Sequence, residues 1–276
     1  MMREDTLLQV KGLSVYDSRY QRTLVNDIHF SLKRHDCIAI VGESGSGKSL
    51  LCKSIIGLQS RWLNISGEVQ FQRVNLLTLS ANQWTAIRGK QIGFVMQDAM
   101  SAFDPLYSIG NQITETLSHH FTLSPNELMD RARTLLSNMQ LHNIDELWKK
   151  YPHQLSGGML QRVMIALTLA SEPVLIVADE PTTSLDCITQ YEIIRQFAQW
   201  RIEKSTSMIF VTHDLALVRE LAQYVVVMKD GHIVEQGITD KIFDAPAHNY
   251  TRHLIDTRRR LSQKFNRLIQ GMPHVT

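Results

Sequence analysis

The sequence predicts an α/β fold with helices on both faces of a largely parallel sheet. Short apolar, β-branched runs recur at CIAIV (37–41), GFVM (93–96), VLIVA (174–178), MIFV (208–211) and VVVM (225–228). Unbroken apolar runs of this length suit strands buried on both faces, and helical patterns separate them. Several runs end abruptly in glycine-rich or polar segments, and the carboxyl ends of parallel strands are where such a sheet presents ligand-binding groups.

CIAIV leads into GESGSGKS at 42–49 and then into the helical pattern KSLLCKSIIG. This strand–loop–helix order fits a phosphate-binding P-loop. Backbone N–H groups along Gly42, Glu43, Ser44, Gly45, Ser46 and Gly47 can converge on phosphate oxygens. Lys48 can reach the β- and γ-phosphates, and the Ser49 hydroxyl can ligate Mg²⁺. A glycine turn that merely joined strand to helix would not require Lys-Ser at that offset.

The next run, GFVM, delivers Gln97, a neutral side chain able to bond a metal-bound or attacking water without competing as a base. Residues 98–165 read as a mainly helical insertion. Within it, Ser124, Pro125 and Glu127 form a helix-start signature of cap, first-turn proline and capping box. Near the end of the insertion is LSGGM, where Leu155, Ser156, Gly157, Gly158 and Met159 stand at the start of a helix. A helix N-terminus of this kind is a second anion cradle, although one nucleotide needs only one.

VLIVA ends in Asp179 and Glu180. Two adjacent carboxylates at the end of an apolar strand require a cation or polar partners. Asp179 suits a Mg²⁺ shell, and Glu180 suits deprotonation of a water that attacks a γ-phosphate. His213 follows MIFVT in the same way and can hold the phosphate or the water in line. Beyond 246, Leu254, Leu261, Phe265 and Leu268 recur at helical spacing among Arg252, Arg258, Arg259, Arg260, Lys264 and Arg267. An amphipathic tail with a solvated basic face is the preferred reading over an anionic-lipid contact.

Bulk properties narrow the partners. The chain has 276 residues, 43% of them hydrophobic, which is enough for a substantial core. Lys plus Arg number 29 against 27 Asp plus Glu, and a net charge of +2 gives no support for nucleic acid as a partner. Cys37, Cys52 and Cys187 lack metal or redox spacing and are expected to be reduced and mostly buried. The N-terminus lacks the apolar core of a secretion signal, and the apolar runs are too short to span a bilayer.

The ordered set GESGSGKS, Gln97, LSGGM, Asp179-Glu180 followed by PTTSLD, and His213 resembles the ATP-binding subunit of ABC transporters over about residues 7–240. The resemblance implies a P-loop NTPase with a RecA-like core, an N-terminal antiparallel β subdomain and the helical insertion. It implies a nucleotide-binding domain over 1–240 and a C-terminal extension over 241–276. It also implies ATP and Mg²⁺ as ligands. Gly42 to Ser49 would be the Walker A loop, Asp179 the end of Walker B and Glu180 the catalytic base. Gln97 would be the Q-loop, Ser184, Leu185 and Asp186 the D-loop, and His213 the switch histidine. Tyr16 is the choice for stacking on adenine, with Tyr20 as the alternative. In this family, head-to-tail dimers place LSGGM of one subunit over ATP held by the other.

VGESGSGKS, MQDAMSAFDPL, YPHQLSGGMLQR, ADEPTTSLD and DAPAHNYTRHL resemble the oligopeptide, dipeptide and nickel importer branch. Met159 (where glutamine is usual), CKSIIGL, AFDP and DCITQY are most similar to ATPases of nickel and metal–opine metallophore importers. That branch implies a second, different ATPase subunit, two permeases, an extracytoplasmic substrate-binding protein and a peripheral place on the cytoplasmic face of the membrane. A dipeptide or oligopeptide importer is the near alternative. A soluble ABC ATPase acting on ribosomes or DNA fits less well, because the chain has one P-loop and no sustained heptads. A small-molecule kinase would leave LSGGM and His213 unexplained.

Overall fold

The computed structural model describes residues 5–182 and 187–257. Two sheets enclose the first helix. The smaller sheet is antiparallel and contains β1 (Thr6–Asp17), β2 (Arg22–Lys33), β4 (Leu63–Phe71) and β5 (Val74–Asn75) in the order β2-β1-β4-β5. This is the β subdomain implied by the resemblance. Apolar runs alone do not mark it in the sequence. Register shifts between Val10/Leu13 and Leu13/Val15 interrupt the alternation that would have marked β1.

The larger sheet contains β3 (Cys37–Val41), β6 (Ile92–Val95), β7 (Leu175–Asp179), β8 (Ser207–Val211), β9 (Tyr224–Lys229) and β10 (His232–Ile238) in the order β10-β9-β3-β8-β7-β6. The five strands from β9 to β6 run parallel, and β10 pairs antiparallel with β9. Every residue of β3, β7 and β8 is buried, as uninterrupted apolar runs require.

Alternation along β3 divides the core. Ile38 and Ile40 pack with Leu51, Cys52 and Ile55 of α1 (Lys48–Ile55) and with the antiparallel sheet. Cys37, Ala39 and Val41 face the opposite way, toward helices that include α3 (Ile109–His120), α4 (Pro125–Asn138) and α6 (Gly157–Ala170). Truncating a fully buried side chain such as Leu51 to alanine costs about 2–5 kcal/mol in such a setting. Cys37 and Cys52 are free and buried. Burial pushes the Cys37 thiol up to about 12 and raises the Cys52 thiol well above its ordinary value. Cys187 opens α7 (Cys187–Lys204), and its side chain lies outside the described set.

Short helices complete the chain: α2 (Ala81–Ile87), α5 (Ile144–Lys149), α8 (Leu215–Leu221) and α9 (Thr239–Asp244). The expected start of α4 is present: the Glu127 carboxylate accepts the Ser124 N–H at 2.8 Å, and the Ser124 hydroxyl accepts the Glu127 N–H at 3.5 Å. The helix that begins at Gly157, within LSGGM, continues to Ala170, beyond the expected end of the insertion at 165. A final helical stretch occupies 249–257. Of the expected tail pattern, Leu254 and Arg252 fall in this stretch, while Arg258, Arg259, Arg260, Leu261, Lys264, Phe265, Arg267 and Leu268 lie outside the described residues. Among the described residues, no helix is long and apolar enough to cross a membrane.

Candidate functional site

Four adjacent parallel strands, β3, β8, β7 and β6, bring their carboxyl ends to one edge. In that order, the loop 42–47, His213, Asp179-Glu180 and Gln97 emerge side by side. All of these except Ser46 and Asp179 border a cleft of about 890 Å³. Gly42, Glu43, Ser44, Gly45, Gly47, Lys48, Ser49, Gln97, Glu180 and His213 line it, so the phosphate loop and the residues expected to handle the attacking water meet there.

Glycine is required where the loop leaves β3. A Cβ on Gly42 would lie 2.2 Å from the Met228 carbonyl oxygen on neighbouring β9. Gly47 adopts φ 99° as it hands the chain to α1, a left-handed conformation that other residues enter at a cost. Above Gly45 there is open space, with no heavy atom within 4 Å of a notional Cβ. A phosphate can therefore approach the backbone closely. Ser46, within the loop, is 4% exposed, and its buried hydroxyl has no hydrogen-bond partner among the described residues.

Lys48 is 4% exposed, and its ammonium donates to the carbonyls of Gly42 and Glu43, both at 2.9 Å. An ammonium has three donors, so a further one can meet a phosphate oxygen. Burial lowers the Lys48 pKa, while the Glu180 and Asp179 carboxylates pull it back up. The Ser49 hydroxyl donates to Asp179 Oδ1 at 2.8 Å. Burial raises the Asp179 pKa, and the Ser49 hydrogen bond opposes the rise. This hard-oxygen pair at a strand end, with Gln97 nearby, is a donor set that fits Mg²⁺.

Glu180 leaves β7 with φ 45°, and its N–H donates to the Val211 carbonyl at 3.0 Å. The left-handed backbone turns its side chain out of the strand direction, a conformation costing about 1 kcal/mol or more for a residue with a Cβ. The Glu180 carboxylate accepts the Gln97 amide at 3.2 Å and lies 3.5 Å from His213 Nδ1. One carboxylate therefore joins the ends of three adjacent strands.

LSGGM is located elsewhere. Leu155 is buried, Ser156 and Gly157 are exposed, and Gly158 and Met159 are intermediate. None of the five lines the cleft. Ser156 caps α6 by accepting the Met159 N–H at 3.2 Å, and the Gly157 and Gly158 N–H groups of the same first turn have no acceptor within the helix. Tyr16 and Tyr20 are exposed and also do not line the cleft. Tyr16 pairs across the sheet with Thr23, the neighbour of cleft-lining Leu24. Tyr20 packs instead against the guanidinium groups of Arg19 and Arg22. Ser184, Leu185 and Asp186 lie outside the described residues.

Leu24, Leu215, His253, Leu254 and Thr257 also line the cleft, although none entered the sequence-based site. The last three come from the stretch 249–257, some two hundred residues after the loop they face. No local motif marks such a contact.

Comparison with known proteins agrees with this arrangement. A family model described as ABC transporter matches residues 25–183. The metal-staphylopine import system ATP-binding protein CntD of Staphylococcus aureus (strain NCTC 8325 / PS 47) is 42% identical over 269 residues, covering 98% of this chain and 99% of that protein. The dipeptide transport ATP-binding protein DppD of Lactococcus lactis subsp. cremoris (strain MG1363) is 39% identical over 272 residues, covering 97% of this chain and 78% of that protein. Among solved structures, the ATP-binding cassette MJ0796, a dimer in a post-hydrolysis state bound to ADP and Pi, matches with a TM-score of 0.76 at 28% identity, covering 84% of this chain and 98% of that one. With a family match over more than half its length and a relative of equal extent, the chain belongs to the ABC transporter family, as one of its ATP-binding, ATP-hydrolysing subunits.

Proposed function

We propose that the chain is the energy-coupling ATPase of an importer for nickel, cobalt or another transition metal, taken up as the free ion or as an opine-metallophore chelate. The observation carrying the ATP-driven part is the separation of two phosphate-binding segments: GESGSGKS, apart from Ser46, lines the cleft, and LSGGM does not. A second subunit in head-to-tail arrangement lets Leu155, Ser156, Gly157, Gly158 and Met159 close over ATP held by the partner's loop. ATP then binds the closed pair better than the open pair, and hydrolysis removes that preference.

In this reading, loop N–H groups and Lys48 would hold the phosphates, and Ser49, Asp179 and Gln97 would hold Mg²⁺. The ion, when bound, offsets negative charge on the β- and γ-phosphates. Glu180 takes a proton from a water held with Gln97 and His213. The water oxygen bonds to the γ-phosphorus as the bond to the β-bridging oxygen breaks, releasing ADP and phosphate. Tyr16 stacks on adenine at the rim beyond Leu24, and Ser184, Leu185 and Asp186 contact the partner.

A groove of about 310 Å³ between the parallel-sheet core and the helices, with Leu58, Phe94, Phe103 and Leu167 in its lining, is the assigned seat of a permease segment. Leu106, 80% exposed, and Tyr107, 55% exposed, lie on the segment whose Tyr107 carbonyl accepts the amide of groove-lining Gln112 at 3.0 Å. Apolar side chains displayed next to a groove suit burial by a partner. Gln97 links this segment to Glu180, so docking can be felt at the site. The assembly comprises two ATPase subunits, this chain and a related one, two permeases and an extracytoplasmic binding protein. This chain is peripheral on the cytoplasmic face, with 1–240 as its nucleotide-binding domain and 241–276 as its extension.

The metal cargo rests on the relationship to CntD, which is matched over nearly the full length of both proteins. The 39% identity to DppD keeps a peptide importer as the second reading. Disrupting this subunit in its host and measuring uptake of radiolabelled nickel, with and without an opine metallophore, and of a dipeptide decides between them. Loss of metal uptake with intact dipeptide uptake supports the metal assignment; the reverse supports the peptide reading.

A further inference from the structure

We propose that Tyr250 is a positioning residue for the phosphate-binding loop, and that the helical stretch 249–257 is a working wall of the nucleotide cleft. The Glu43 N–H donates to the Tyr250 hydroxyl at 3.0 Å, across 207 positions of sequence. Glu43 also accepts the Lys48 ammonium on its carbonyl at 2.9 Å. One loop residue is therefore held on one side by Tyr250 and on the other by the lysine that reaches the phosphates.

The hydroxyl is placed by its own scaffold, independently of the loop. The Glu235 carboxylate on β10 accepts the N–H groups of Ala247 at 2.8 Å and His248 at 3.1 Å, fixing the start of the helix. His248 Nδ1 accepts the Tyr250 N–H at 3.1 Å. The Tyr250 ring is 8% exposed, and the Lys229 ammonium lies 5.2 Å from its centroid. Thr251 and Ile255 are buried on the same helix, while His253, Leu254 and Thr257 border the cleft.

The consequence follows from loop entropy. A segment with glycines at 42, 45 and 47 has many conformations to lose when it wraps a phosphate, and each external tether reduces that loss before the ligand arrives. Tyr250 supplies such a tether at the first turn of the loop. Linkage makes the effect reciprocal, so a bound nucleotide also holds the helix against the cassette. This inference rests on the reading of the cleft as an ATP site, but the tether itself can be measured without ATP.

The test is Tyr250→Phe, which keeps the buried ring and its contact with Lys229 and removes the acceptor. In the unliganded full-length protein, amide exchange at Glu43 should accelerate several-fold while exchange within α1 stays unchanged. Titration with MgATP should show binding weaker by about fivefold, the equivalent of one ordinary hydrogen bond at about 1 kcal/mol. In the assembled transporter, KM for ATP should rise more than kcat falls. Unchanged Glu43 exchange together with wild-type ATP affinity would overturn the proposal. If the wild-type protein itself bound no ATP, the nucleotide reading would fail, and the exchange measurement would still decide the tether.

Discussion

The Ser49 hydroxyl donates to Asp179 Oδ1 across 2.8 Å, tying the first turn of α1 to the end of β7. In the proposed site both groups serve the metal-bound nucleotide, and here they satisfy each other. Asp179 remains costly, because it is 2% exposed and burial raises its pKa above the ordinary value of 3.8. A carboxyl whose folded pKa exceeds its unfolded value contributes most below about 3.8, and that contribution is lost as pH rises through the folded value. Asp179→Asn removes this dependence. Its melting temperature, measured without ligand, should exceed that of the wild type at neutral pH, and the gap should open as pH increases from below 3.8. The same variant should lose the Mg²⁺-dependent part of its ATP affinity by about tenfold or more in a titration with and without the ion.

Glu180→Gln keeps an acceptor for Gln97 but removes the proton acceptor. Phosphate release should fall by about a hundredfold or more, the range for loss of a general base, with ATP binding retained. Size-exclusion chromatography with MgATP should show a stable dimer with the partner ATPase. Turnover at the wild-type rate would remove Glu180 from the role of base.

Ser156 lies outside the nucleotide cleft of its own chain and caps α6. Ser156→Arg should therefore leave ATP binding to the isolated subunit intact while stopping hydrolysis in the assembled complex. Ser156→Ala, losing a cap, should lower stability by about 1 kcal/mol in a denaturant titration. Loss of binding in the isolated arginine variant would argue against a site shared between two chains.

Leu106 is 80% exposed and adjoins Tyr107, whose carbonyl accepts the amide of Gln112 in the groove proposed to receive the permease. Leu106→Asp should leave ATP binding and the melting temperature near wild type, because little surface is lost from the core. Co-purification with the permeases and stimulation of ATPase activity by them should drop. Intact assembly would place the docking surface elsewhere.

The parallel strands were legible because each is buried on both faces, so composition alone marked β3, β7, β8 and β9. The antiparallel sheet was hidden from that test. β1 and β2 mix buried and exposed positions, and bulges disturb their alternation. The start of α4 was legible because a capping box is local, spanning Ser124 to Glu127. Tyr250 was not, because its partner, Glu43, is on another element far away in sequence. Tyr16 and Tyr20 illustrate a related limit: being near the loop in sequence did not place either one in the cleft lining.

By itself, the sequence determined the chemical groups: a glycine loop with Lys48 and Ser49, two carboxylates at a strand end, Gln97, His213 and a second helix-start cradle. These patterns depend on spacing over fewer than ten residues, where backbone geometry leaves few choices. The tertiary structure alone decided who their neighbours are. Strand order puts β8 between β3 and β7, so His213 emerges between the phosphate loop and Glu180. It also carries 249–257 back across the cassette to hold Glu43, and keeps LSGGM out of the cleft. Strand order and helix docking are set by which apolar faces bury each other, a balance over the whole chain that no short segment contains.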